Sequence, residues 1–144
     1  MMDDTFHTAT FENFQVRKEN ENHLKIAKSY CEKFKIMYER NQGLLFYGTV
    51  GTGKSYTAAC IANYLLEKNT SVVMTSFVRI LQEMQGFDKE REESFSNHLN
   101  NVRLLIIDDL GAERSTDYAL EKVYGIIDSR YRAKKPLILT TNLT

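Results

Sequence analysis

Three of the chain's seven glycines, Gly48, Gly51 and Gly53, fall within six residues, and Lys54-Ser55 follows at once. That cluster constrains the fold more than any other feature of the 144 residues. Before it, Leu44–Tyr47 is a short, wholly apolar run with the length of a buried strand. After it, Ala58, Ile61, Ala62 and Leu65 recur at helical spacing. The spacing predicts strand, loop, helix. A chain that leaves a buried strand for a helix in this way is expected in an α/β fold with a parallel sheet.

Residues 48–55, GTVGTGKS, fit the pattern G-x-x-x-x-G-K-[ST], the P-loop or Walker A motif. Glycines let the backbone adopt conformations closed to other residues and approach a ligand closely. Their N–H groups, with those that open the following helix, form a concave donor set at the helix's positive end. A polyphosphate suits that environment. Gly51, Thr52 and Gly53 are expected to line it, Lys54 to reach the β- and γ-phosphates, and the Ser55 hydroxyl to ligate Mg²⁺. ATP or ADP with Mg²⁺ is expected to bind at residues 51–56, so Tyr56 completes the set.

Strands and helices alternate elsewhere. Apolar residues at Leu24, Ala27, Tyr30, Cys31, Phe34, Met37 and Tyr38 predict one helix from Asn22 to about Arg40, closed by a glycine cap at Gly43. Residues 72–75 read as a strand and Phe77–Met84 as a helix. Residues 87–94, FDKEREES, read as a solvated loop or helix start, with a short helix around Phe95, Leu99 and Val102. Residues 104–107 are a fully apolar run, as in a strand buried on both faces. Thr116 lies in a capping triplet, and Leu120, Val123, Tyr124, Ile127 and Tyr131 recur at period 3.6. Leu137–Thr141 is the fourth strand. Cys31 and Cys60 both sit in apolar helical patterns, so buried free thiols are expected. No signal-peptide pattern and no apolar run of membrane-spanning length occurs, which suits a reduced, cytoplasmic setting.

Phosphate binding alone does not make an NTPase; a metal must be fixed and a water aimed at the γ-phosphate. Four apolar residues followed by Asp108-Asp109 have the form of a Walker B strand, ending where α/β sheets bind ligands. Asp108 is expected to hold Mg²⁺ together with Ser55, and Asp109 to polarise the attacking water. Asn142 ends a predicted strand in Thr140-Thr141-Asn142, where an amide can touch the γ-phosphate or that water.

GTVGTGKS, LLIIDDLGAE and LILTTN, in this order, resemble the AAA+ ATPases of the DnaC/IstB type, which include helicase loaders and helper ATPases of transposases. TFENF, residues 10–14, resembles the family segment that runs along the adenine pocket, which implies a cofactor contact for Phe14. The stretch DSRY, residues 128–131, also has a family counterpart. The resemblance implies a P-loop NTPase of AAA+ type, a three-layer sandwich around a mostly parallel sheet. Asp108 and Asp109 become Walker B and Asn142 becomes sensor 1. Glu113 falls where the family often has Glu, which adds it to the catalytic candidates. The organisation expected is one AAA+ core over residues 1–144, with a lead-in segment and N-terminal helix at 1–43 and the P-loop core at 44–144. Family modules continue past sensor 1 into a fifth strand, an arginine finger and a helical lid. The expectation is therefore a core without C-terminal strand or lid, which binds ATP far better than it hydrolyses it. Arg130 is the arginine near sensor 1 expected to stand in partly for the finger.

The leading expectation is an ATPase that acts in DNA replication as a helicase loader, partnered by a replicative DNA helicase. The alternatives are a transposition helper partnered by a transposase, and a small-molecule P-loop kinase. Lys and Arg number 19 against 19 Asp and Glu, so the chain has no overall electrostatic attraction for nucleic acid. Single-stranded DNA is expected to bind weakly, and only in an assembled form.

Overall fold

The computed structural model describes residues 6–48, 53–110 and 116–142. Four parallel strands, β1 (Leu44–Tyr47), β2 (Val72–Ser76), β3 (Leu104–Asp108) and β4 (Leu137–Thr141), form one sheet in the order β1-β4-β3-β2. β4 lies between the first and third strands, with Leu44 opposite Ile138 on one side and Leu137 opposite Leu105 on the other. Helices α1 (Glu21–Glu32), α2 (Phe34–Glu39) and α3 (Lys54–Glu67) cover one face, and α4 (Phe77–Met84), α5 (Lys89–Asn101) and α6 (Asp117–Arg132) cover the other. The expected three-layer α/β sandwich is therefore the architecture observed.

The core divides at the sheet. Leu104 and Ile106 of β3 face the α1–α3 cluster, while Leu105 and Ile107 face the α4–α6 cluster. Alternation on a pleat with both faces covered explains why β3 reads as an unbroken apolar run and is buried throughout. On the first face, fully buried Ala58, Ala59 and Ala62 let α3 lie close to the sheet. Among the described residues no helix is long and apolar enough to cross a membrane.

The structure refines the sequence expectations at several points. The single helix expected from Asn22 breaks at Lys33 (φ −106°, ψ 20°) into α1 and α2, and Phe34 packs edge-on to Tyr30 at 5.8 Å. Its expected glycine cap is not Gly43: Asn41 takes the left-handed turn (φ 52°), and Gly43 is needed because a Cβ there would strike the Leu137 carbonyl of β4. The charged stretch 87–94, read as a solvated loop or helix start, does open a helix. Residues 89–94 are the first turns of α5, capped by Asp88, whose carboxylate accepts the Arg91 N–H at 2.8 Å, and the short helix expected around Phe95 and Leu99 is the rest of that same element. The buried stripe of α6 is Ala119, Val123, Ile126 and Arg130, and Tyr124 and Tyr131 are 58% and 74% exposed. The buried face is thus rotated from the apolar pattern, keeping Val123 and adding an arginine with no exposed surface.

Candidate functional site

The strand that enters the loop and the helix that leaves it meet at Gly53, which has φ 79° at the N-terminus of α3. Only a residue without Cβ takes that conformation at no steric cost. Lys54 opens the helix with 5% exposure and gives its Nζ to the Gly48 carbonyl at 3.1 Å, spanning the loop from its far end to its start. Gly51 and Thr52, between them, and Glu113 lie outside the described residues.

Ser55 Oγ donates to Asp108 Oδ1 at 2.7 Å, joining the P-loop helix to the end of β3 across 53 residues of sequence. Thr140 Oγ1 donates to the same Asp108 oxygen and accepts the Asp109 N–H at 2.9 Å. Asp109 itself is held left-handed, with φ 56°. Its carboxyl is raised above the usual carboxylate range, first by burial and then by the neighbouring Asp108, while the Lys54 ammonium opposes the shift. Asn142, half-buried, follows β4 directly, between the strand that feeds the loop and the strand that carries the two aspartates. The structure thus gathers Gly53, Lys54, Ser55, Asp108, Asp109 and Asn142 at the C-terminal edge of one sheet.

Beside Gly53 lies a cavity of about 290 Å³ lined by Asn13, Phe14, Gln15, Arg17, Asn20 and Tyr56. Phe14 and Tyr56 meet there with ring centroids 5.9 Å apart. Phe11 does not join them; it packs edge-on to Tyr64 and lines a separate cavity of about 400 Å³. The lead-in segment is pinned to α3 by Asn63, whose amide donates to the Phe6 and Ala9 carbonyls at 2.9 and 2.8 Å. Asn20, only 3% exposed, ties the loop to itself by donating to the Gln15 carbonyl and accepting the Arg17 N–H. Arg17 and Asn20 were not among the sequence candidates; an Asn at the start of a periodic apolar stretch was their one local signal.

Arg130 is not available as a substitute for an arginine finger. It has no exposed surface and donates to the carbonyls of Leu99, Asn100, Val102 and Pro136. Among the described residues no cluster of three or more His, Cys, Asp or Glu is arranged to hold a metal alone. Magnesium characteristically takes one or two carboxylates plus substrate phosphates and water. The touching Ser55 hydroxyl and Asp108 carboxylate are a donor set that fits it.

A parallel sheet in which β1 feeds a glycine–lysine–serine loop, with carboxylates at a nearby strand end, defines a P-loop nucleotide-binding protein of the AAA+ type. The family described as IstB-like ATP binding protein matches residues 2–144, and the chain belongs to that family. It is 34% identical over 138 residues to the replicative helicase loader DnaC of Escherichia coli K12, an alignment covering 92% of this chain and 55% of that protein. To the DnaC of Buchnera aphidicola (subsp. Schizaphis graminum) it is 30% identical over 139 residues, 93% of this chain and 55% of the relative. The chain thus spans about half the length of these relatives. Among solved structures, a DnaC helicase loader superposes with TM-score 0.83 at 24% identity, covering 99% of this chain and 81% of that one. The replication initiator DnaA bound to AMPPCP and single-stranded DNA gives TM-score 0.80 at 25% identity, over 98% of this chain and 44% of the other.

Proposed function

We propose that the chain binds ATP with Mg²⁺ in the cleft between the start of α3 and the ends of β3 and β4, and that this binding is the switch of a helicase loader. The observation that carries the reading is the 2.7 Å contact of Ser55 with Asp108, which unites the two halves of a Mg–nucleotide site. In this reading the backbone of Gly51, Thr52 and Gly53 holds phosphate, and Lys54 leaves the Gly48 carbonyl for the β- and γ-phosphates. Ser55 and Asp108 hold the metal, which when bound neutralises charge developing on the phosphoryl oxygens. Phe14 and Tyr56 flank the base in the cavity beside Gly53. Asp109 accepts a hydrogen bond from the attacking water. Asn142 and Glu113 complete the polar surround of the γ-phosphate. Residues 1–43 act as lead-in to a single nucleotide-binding core at 44–144.

The loader role is supported by the relatives named replicative helicase loader DnaC and by the DnaA neighbour that holds a nucleotide analogue and single-stranded DNA. A cytoplasmic setting accords with such work. The partner is then a replicative DNA helicase. The family's IstB-like description favours a second reading, a helper of a transposase. Calorimetry tests the nucleotide site: Lys54→Ala removes a charge-assisted contact of ~1.5–3 kcal/mol and should weaken Mg–ATP binding by about ten- to a hundredfold. Unchanged affinity would remove the site. Co-elution of the ATP-bound protein with the replicative helicase of its own organism supports the loader; co-elution with a transposase instead selects the second reading.

A further inference from the structure

β3 and β4 pair in ordinary parallel register from Leu105 and Leu137 as far as Ile107 opposite Leu139. Beyond that point side chains of β4 take over. The Thr140 hydroxyl donates to Asp108 and accepts the Asp109 N–H, the Thr140 carbonyl accepts the Leu110 N–H at 2.8 Å, and the Thr141 hydroxyl donates to the Leu110 carbonyl at 2.7 Å. Three consecutive residues of the β3 exit are therefore gripped by two threonines. Thr140 is 1% exposed, so water does not compete for its hydroxyl.

We infer that Thr140 is a positioning residue that assigns the two aspartates their separate places. It rests on the reading of Asp108 as the metal-side acid and Asp109 as the water-side acid. A hydroxyl has one proton to give, and here it goes to the Asp108 carboxylate, while a lone pair takes the Asp109 amide. The same Asp108 oxygen also receives the Ser55 hydroxyl, so Asp108 is held from the P-loop helix and from β4 at once. A left-handed conformation is costly for an L-residue with a side chain. The amide bond to Thr140 opposes the return of Asp109 to an extended strand, which would carry its carboxyl to the other side of the sheet. Thr140 touches neither phosphate nor water in this scheme; it acts through the two acids.

Thr140→Val keeps the shape and removes both hydroxyl bonds, and Thr140→Ser keeps the hydroxyl. Amide exchange of ¹⁵N-labelled, metal-free protein should show Asp109 protected in the parent and in Thr140→Ser, with protection reduced by about tenfold or more in Thr140→Val. Calorimetry with and without Mg²⁺ should show the magnesium-dependent gain in ATP affinity reduced by about tenfold in Thr140→Val and restored in Thr140→Ser. Affinity for ATP in EDTA should stay at the parent's value in both. Undiminished Asp109 protection together with an undiminished magnesium gain in Thr140→Val overturns the inference. If Thr140→Val does not fold, the parent decides, because a freely exchanging Asp109 amide there also overturns it. A parent that binds no ATP defeats the nucleotide reading, while the amide exchange still tests the grip of Thr140.

Discussion

Arg130 sits where hydropathy places a leucine. A guanidinium withdrawn wholly from water is strongly unfavourable unless its donors are used. Here Nε and Nη2 go to the Pro136 carbonyl at 3.1 and 2.9 Å, and Nη1 reaches Val102 O at 2.6 Å as well as the Leu99 and Asn100 carbonyls. Burial pulls its pKa down to about 10, so it still carries its charge at neutral pH. These bonds tie the end of α5 to Pro136, the residue just before β4. Arg130→Ala leaves several buried carbonyls without donors and should destabilise the fold by about 3 kcal/mol or more in urea denaturation. Arg130→Lys should recover little of this, since an ammonium cannot reproduce the fork of donors. A loss under about 1 kcal/mol for the alanine variant would contradict the anchoring role.

At the level of elements, the four strands stood out in the sequence because each is a short apolar run between turn residues, and their parallel pairing followed from the helices between them. The face of α6 stood out only in part: a reading by apolar period chose Val123, which is buried, but also Tyr124 and Tyr131, and only tertiary contact reveals that a hydrogen-bonded arginine joins the buried stripe. The site divides in the same way. Lys54, Ser55, Asp108 and Asp109 are legible because each belongs to a local run, whereas the Thr140 grip and the Asn20 loop depend on partners invisible to spacing. The packing of α1 on α3 has its own signature. Cys31 and Cys60 are pushed up to about 12, chiefly by burial, and Tyr30, whose hydroxyl donates to the Gln42 carbonyl at 2.7 Å, is raised as well. The folded state thus keeps protons that the unfolded chain begins to lose near the ordinary thiol value of 9.0. The contribution of these groups to stability should be constant below that pH and fall as pH climbs from there toward about 12. The urea midpoint measured between about pH 8 and pH 10.5 should decline, and replacing both cysteines with alanine should flatten the decline. A level midpoint in the parent would show that these groups are not shielded.

The whole molecule is electrically balanced, with 19 basic and 19 acidic residues. Tight binding to a phosphate backbone depends on neutralising several charges together. Fluorescence anisotropy should therefore find no affinity for single-stranded DNA tighter than about micromolar near physiological salt. Tight, salt-sensitive binding would expose a basic face, with Arg79 of α4 and Lys89 and Arg91 of α5 the first residues to replace. The strand order has a consequence for the sequence of assembly. Among the described residues β1 pairs only with β4, the most distant of the four strands in sequence, while β2 and β3 pair directly with each other. A chain emerging from the ribosome at ~5–20 residues per second can zip β2 to β3 early, yet the strand that feeds the P-loop waits several seconds for its neighbour. Contacts between ends so distant in sequence form late, because the intervening loop must first be closed. Among the described elements the nucleotide cleft is then the last to mature, although its signature motif lies well before β4 in the sequence. A protein cut after Lys135 keeps residues 48–55 and both aspartates. It should nevertheless show no rise in melting temperature with Mg–ATP; a rise equal to that of the full chain would mean that β1 stands without β4.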